Sequence, residues 1–229
     1  TLFSSGTVGL IVVLVAIEVA VFLRARPLLQ ENKSPKKTSR ASANSRSQLL
    51  PALLIRPAIF LFLFAIDLSM SFLPLHMEKI AGSLYGLSMD LVIGLPISAE
   101  FLCVGIAILG SGVWVDRRGW QEPFYCGLLL AALGSLYSWF AADALHFIAS
   151  RALVGFGYGL TQLASLSFVI IHCSEDNRAV GVGHLTAGLY SGSICGAATG
   201  AMLAERFGYG LVFLVGAVIV LSVIVYGLL

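Results

Sequence analysis

Seven stretches of this chain, near residues 6–23, 57–77, 92–115, 123–142, 145–171, 180–203 and 209–229, are 18 residues or longer and almost free of charge. A helix of that length, at 1.5 Å per residue, crosses a hydrocarbon core of about 30 Å. Within lipid every backbone N–H and C=O must find its partner inside the segment, which a helix does and an open strand does not. The runs therefore predict an all-α, polytopic membrane protein. The low charge agrees, because 11% of residues are charged and the mean hydropathy is +0.93. A soluble domain carries about a quarter charged residues.

The same composition excludes several functions. A net charge of +2 gives no electrostatic footprint for nucleic acid. Cys103, Cys126, Cys173 and Cys195 lie in or at the end of apolar stretches without C-x-x-C spacing, so neither a zinc site nor a disulfide framework is expected. No phosphate loop, metal cluster or nucleophile-and-base pair stands out. The expectation is a non-enzymatic protein without metal or cofactor.

Lys and Arg set the orientation, since these residues are retained on the cytoplasmic side. Eight of the 14 lie between Arg24 and Arg56, two are Arg117 and Arg118, and one is Arg178, giving eleven in alternate connections. Lys79 and Arg206 occupy the opposite connections, and Arg151 falls inside a span. This predicts residues 1–26 as an anchor helix with Thr1 outside and residues 27–56 as a basic, flexible cytoplasmic linker. Residues 57–229 then form a six-helix unit. Because residue 1 is Thr and the apolar run Leu211 to Leu229 stops without a flank, the expectation is a piece of a longer protein.

Three patterns punctuate the six spans. Gly112-Val-Trp-Val-Asp116-Arg117-Arg118-Gly119 closes the second of them at the cytoplasmic rim. Arg151-Ala-Leu-Val-Gly155-Phe-Gly157-Tyr-Gly159 opens the fourth. The fifth carries Gly188, Gly192, Gly196 and Gly200 at four-residue spacing, along one side of a helix where a neighbour can approach closely. In this order and on these spans the patterns resemble those of the major facilitator superfamily of secondary transporters. Two departures are plain: Trp120-Gln121 replaces the family's basic residues, and Ser193 stands where its exchangers carry Pro in helix 5.

The resemblance implies the N-terminal half of a twelve-helix transporter, built as two inverted three-helix repeats, with a C-terminal six-helix half as its partner. It implies alternating access for a small organic solute, with proton coupling, in the cytoplasmic membrane. A charge at the bilayer centre costs about 2.5–3.5 kcal/mol on insertion scales, so the charges inside spans are the candidate functional groups. Asp67, ten residues into its span, and Glu100 are the candidate proton carriers, and Arg151 is the cation that organises them. Glu18, on the anchor helix, reads as a rim or packing residue. At the cytoplasmic rim, Glu175, Asp176 and Arg178 form a second charged cluster, expected to act with Gly112, Asp116, Arg117, Arg118 and Gly119 as an inner gate. Gly155, Gly157, Gly159 and the four glycines of the fifth span are expected to be packing positions. The rival readings are a seven-helix receptor and a membrane sensor that signals from an outer domain through a transporter-like module. The 33-residue first connection and the six-span register argue against the receptor.

Overall fold

The computed structural model describes residues 55–81 and 88–228. The expected anchor helix, Glu18 and nearly all of the linker lie outside the described residues. What is described is helical, with no strand among the described residues. Helix α1 covers 55–67 and α2 is Leu73–Ile80. The helices that follow are α3, Met89–Arg118; α4, Gln121–Phe140; α5, Ala144–His172; α6, Arg178–Phe207; and α7, Tyr209–Leu228. A short 3₁₀ turn, Glu175–Asn177, precedes α6.

Five of the six expected core spans reappear as single helices, several of them a turn longer than the apolar run because charged ends such as Asp116-Arg117-Arg118 continue the helix. The first does not. After Asp67 the chain tightens, with Met70 N–H bonding to the Asp67 carbonyl at 3.1 Å and Phe72 N–H to the Ser69 carbonyl at 3.2 Å. Pro74 accounts for the change of pitch: in an unbroken helix its ring would meet the Met70 carbonyl, whereas in the first turn of α2 its missing N–H costs nothing. The displaced segment is pinned by aromatic contacts, Phe72 stacking on Tyr209 at 4.9 Å and His76 lying edge-on to Phe147 at 4.8 Å.

Two seams between parallel helices are made of glycine against carbonyl. Along the first, a Cβ on Gly188 would sit 2.9 Å from the Arg56 carbonyl oxygen, and Gly192, Gly196 and Gly200 press in turn on the carbonyls of Phe60, Phe64 and Leu68. Both chains advance by four residues together, so α1 and α6 are parallel. Along the second, Gly155 presses on the Glu100 carbonyl and a Cβ on Gly159 would lie 2.6 Å from that of Val104, so α3 and α5 are parallel as well. On its other side α5 runs antiparallel to α4, where a Cβ on Gly157 would meet the Ala131 amide at 2.5 Å. Parallel alternate helices and antiparallel neighbours are what short connections between membrane spans require. Small residues let backbones approach to van der Waals contact where lipid offers no hydrophobic drive for helices to associate.

The outward faces are apolar. On α3, Leu91, Leu102, Ile106, Leu109 and Val113 are exposed while Glu100, Ser111 and Val115 are buried, the reverse of a water-soluble helix. The helices α3, α4 and α5 are long and apolar enough to cross a membrane. In α1–α2 the helix is interrupted, and in α6 the glycine row dilutes the hydropathy. Gly119, with φ +83°, ends α3 and reverses the chain into α4, as expected for the motif glycine, and Gly208, with φ +84°, does the same between α6 and α7.

Candidate functional site

The charged residues inside the spans converge. Seam geometry decides where, because Gly155, one turn beyond Arg151, is seated on the Glu100 carbonyl and so brings the two side chains to the same level. Arg151 Nε donates to Glu100 Oε2 at 3.0 Å, and Nη2 donates to Oε1 and Oε2, both at 2.7 Å. Arg151 is 1% exposed and Glu100 3%. A two-pronged guanidinium–carboxylate pair of this kind gives each partner charge-assisted hydrogen bonds inside a dry site.

Asp67, the last helical residue of α1, lies close by and half-buried. It is within the electrostatic reach of Arg151 and within hydrogen-bonding reach of the Ser193 hydroxyl on α6. Tyr158, two turns beyond Arg151 on the same face of α5, lies within electrostatic reach of Asp67, Glu100 and Tyr190 of α6. Its ring packs edge-on to Phe62 of α1 at 6.2 Å. The site thus brings together all three membrane-embedded charges expected in the core, from α1, α3 and α5. It adds Ser193 and Tyr158, which the sequence reading did not assign. The signal for Tyr158 was its seven-residue spacing from Arg151. That for Ser193 was the departure from the family's Pro.

The charge count is the chemical content of this arrangement. Two carboxylates share one cation, and the cation's bidentate grip is on Glu100. Asp67 keeps a hydroxyl and a more distant positive field. Of the two acids it is the one whose proton can change without first breaking a buried ion pair.

Asp116, Arg117, Arg118, Glu175, Asp176 and Arg178 are all exposed. Arg118 bonds Glu122 at 3.3 Å, and the Trp114 indole N–H donates to the same carboxylate at 3.2 Å, tying the end of α3 to the first turn of α4. Among the described residues no ion pair joins Arg117 or Arg118 to Glu175 or Asp176. Gly112 has room beside it, since an added Cβ would stand 4.0 Å from Leu163. No group of His, Cys, Asp and Glu among the described residues is arranged to hold a metal.

Comparison with known proteins agrees with the geometry. The sequence model described as Major Facilitator Superfamily matches residues 58–229. The chain is 28% identical over 158 residues to the multidrug resistance protein MdtG of Yersinia enterocolitica, a match covering 69% of this chain and 38% of that protein. It is 29% identical over 165 residues to MdtG of Serratia proteamaculans, covering 72% and 40%. Against the methyl viologen resistance protein SmvA of Salmonella typhimurium it is 32% identical over 117 residues, covering 51% and 24%. The chain spans well under half the length of each of these relatives.

Proposed function

The chain belongs to the major facilitator superfamily, and from that premise we propose that it supplies one six-helix half of a secondary transporter that moves a small organic solute across the cytoplasmic membrane by alternating access, coupled to protons at Asp67. The observation that carries this reading is the unequal sharing of Arg151. With Glu100 bound at three short contacts, the embedded charges balance when Asp67 is protonated and leave one net negative charge when it is not. Each proton taken or released at Asp67 therefore changes the charge of the bundle interior by one unit. That is a large perturbation in low dielectric and a means of biasing one packing against another.

Support for the substrate class comes from the relatives, whose names specify drugs and methyl viologen, and from the surroundings of Asp67. A carboxylate with the Tyr158 ring within electrostatic reach suits a flat organic cation, which gains from both charge and ring face. The inner gate remains part of this reading with a changed composition. The residues at the end of α3 are tied to Glu122, and Glu175, Asp176 and Arg178 on the 3₁₀ turn and α6 are exposed for partners in the other half.

The test uses the whole transporter in proteoliposomes under an imposed pH gradient, with methyl viologen as probe. The wild type accumulates it. Asp67→Asn, whose amide mimics the protonated acid and cannot release a proton, loses gradient-driven accumulation while still exchanging bound probe down its own gradient. Full accumulation by Asp67→Asn would move the coupling to Glu100, and a wild type inert to methyl viologen would refute the substrate class.

A further inference from the structure

Where α2 ends and α7 begins, five rings meet beneath a cation. Phe72 of α2 stacks on Tyr209 of α7 at 4.9 Å and lies edge-on to Phe213 at 5.5 Å. His76, one turn further along α2, meets Phe147 of α5 at 4.8 Å, Tyr209 at 5.4 Å and Phe213 at 5.5 Å. Phe72, Phe147 and Phe213 are buried, whereas Tyr209 and His76 are half-exposed, so the cluster has one open side. There the exposed Lys79 holds its ammonium 4.5 Å from the centroid of the Tyr209 ring, in the position where the ring quadrupole attracts a positive charge. Tyr209 thus already receives a cation, the chain's own, carried on a flexible four-carbon stem that can swing into water.

The charges around this end favour further cations. Short connections bring the end of α2 together with the starts of α3, α5 and α7 and the end of α6. Glu78 of α2, Asp90 in the first turn of α3, Asp143 ahead of α5 and Glu205 near the end of α6 are exposed here, against Lys79 and Arg206. Four carboxylates over two cations leave a negative fringe, which raises the local concentration of positive solutes.

We propose that this end carries a second binding site, for a flat organic cation, in which the ligand lies on the Tyr209 ring in place of the Lys79 ammonium. A delocalised aromatic cation gains the attraction that the ammonium gains and adds ring-on-ring contact, while a compact ammonium is the more strongly hydrated of the two and returns to water readily. Lys79 is then a tethered competitor that covers the ring when no ligand is bound. The site belongs to α2 and α7, and Lys79 stands twelve residues beyond Asp67, so it needs neither proton coupling nor the Glu100–Arg151 pair. It goes beyond the proposed transport reaction and shares only a probe with it.

The experiment measures equilibrium binding of methyl viologen to the whole transporter in lipid nanodiscs by calorimetry, in an Asp67→Asn background that removes the central carboxylate. Lys79→Gln removes the tethered cation and is expected to tighten binding about fivefold. Adding Tyr209→Leu to Lys79→Gln is expected to abolish that gain, and adding Tyr209→Phe, which keeps the ring, to preserve it. Neutral, unmethylated bipyridine is expected to show no gain in Lys79→Gln. Unchanged affinity in Lys79→Gln would overturn the site. A gain that survives Tyr209→Leu would overturn it too, by assigning the effect to the loss of one positive charge rather than to the ring. Either result leaves the role of Asp67 standing, because that role is read from gradient-driven accumulation and not from binding at Tyr209.

Discussion

Replacing Glu100 by Gln tests the ion pair at the centre of the site. Glu100 and Arg151 are 3% and 1% exposed, so the variant leaves a guanidinium that cannot deprotonate facing an amide in a dry interior. Breaking a buried pair from one side costs about 3–5 kcal/mol. Gln retains a carbonyl oxygen that can accept one of the three Arg151 contacts, and Asp67 lies near enough to take a share of the charge, so the expectation is the lower end, about 3 kcal/mol. Arg151→Met costs less, because Glu100 left alone can neutralise itself with a proton, as the guanidinium cannot. The double variant Glu100→Gln/Arg151→Met removes both charges and should return to within about 1–2 kcal/mol of wild type. The measurement is the shift in unfolding midpoint of the whole transporter in detergent, arranged as a double-mutant cycle. Adding Asp67→Asn to Glu100→Gln should cost more than the sum of the two, since it removes the only other carboxylate in reach of Arg151 among the described residues. Additive effects in the first cycle, or a cost below about 1 kcal/mol for Glu100→Gln, would refute the claim that this pair is a dry, two-pronged bond.

Other consequences are simpler to read. Gly196→Ala and Gly200→Ala, whose added Cβ atoms collide with the carbonyls of Phe64 and Leu68, should lose about 1–3 kcal/mol, while Gly183→Ala, with nothing within 4 Å, should be neutral or gain up to about 1 kcal/mol from helix propensity; equal tolerance by thermal unfolding would mean that the row is not an interface. Arg118→Ala breaks an exposed i,i+4 pair and should cost no more than about 0.5 kcal/mol, so a larger loss of stability would show that Arg118 has a partner in the other half. Ser42→Cys and Leu84→Cys, in a background without native cysteines, should react with impermeant thiol reagents from the cytoplasmic and outer sides respectively, and reaction of both from one side would overturn the orientation.

Helix positions and glycine packing were legible because they depend on local spacing. An 18-residue apolar run has one use in lipid, and glycines four apart on a helix form a flat strip wherever the neighbour lies. The break after Asp67 was not legible, since a window of some 19 residues averages over the five that change pitch, although Pro74 marked its far side. Nor was Arg151's choice between two carboxylates. Asp67 and Glu100 both lie at depths that Arg151 can reach, and the decision is made by the rotation of α5 on α3, which Gly155 sets by seating on the Glu100 carbonyl. The pairing expected between the two cytoplasmic clusters was a guess from charge signs alone. In the structure Glu122, four residues after Arg118, satisfies that arginine locally, as a nearby partner on a helix start does at less entropic cost than one on another loop.

The two seams explain why the membrane-embedded charges are where they are. Each pairs parallel helices through glycine on carbonyl, and each carries an embedded ionisable side chain: Glu100 bonded to Arg151 on α5–α3, and Asp67 on α6–α1. Close backbones shorten the distance a side chain must bridge, exclude water, and hold the donor and acceptor without the rotamer freedom that weakens a surface pair. The difference between the seams is the strength of the tie. A guanidinium clamps the Glu100 carboxylate with three bonds, whereas no such clamp holds Asp67 among the described residues. The α6–α1 seam lies beside the single point in the described bundle where a membrane-crossing run changes helical pitch, at Leu68 to Phe72, so Asp67 sits at the edge of the part of α1 least committed to helical geometry.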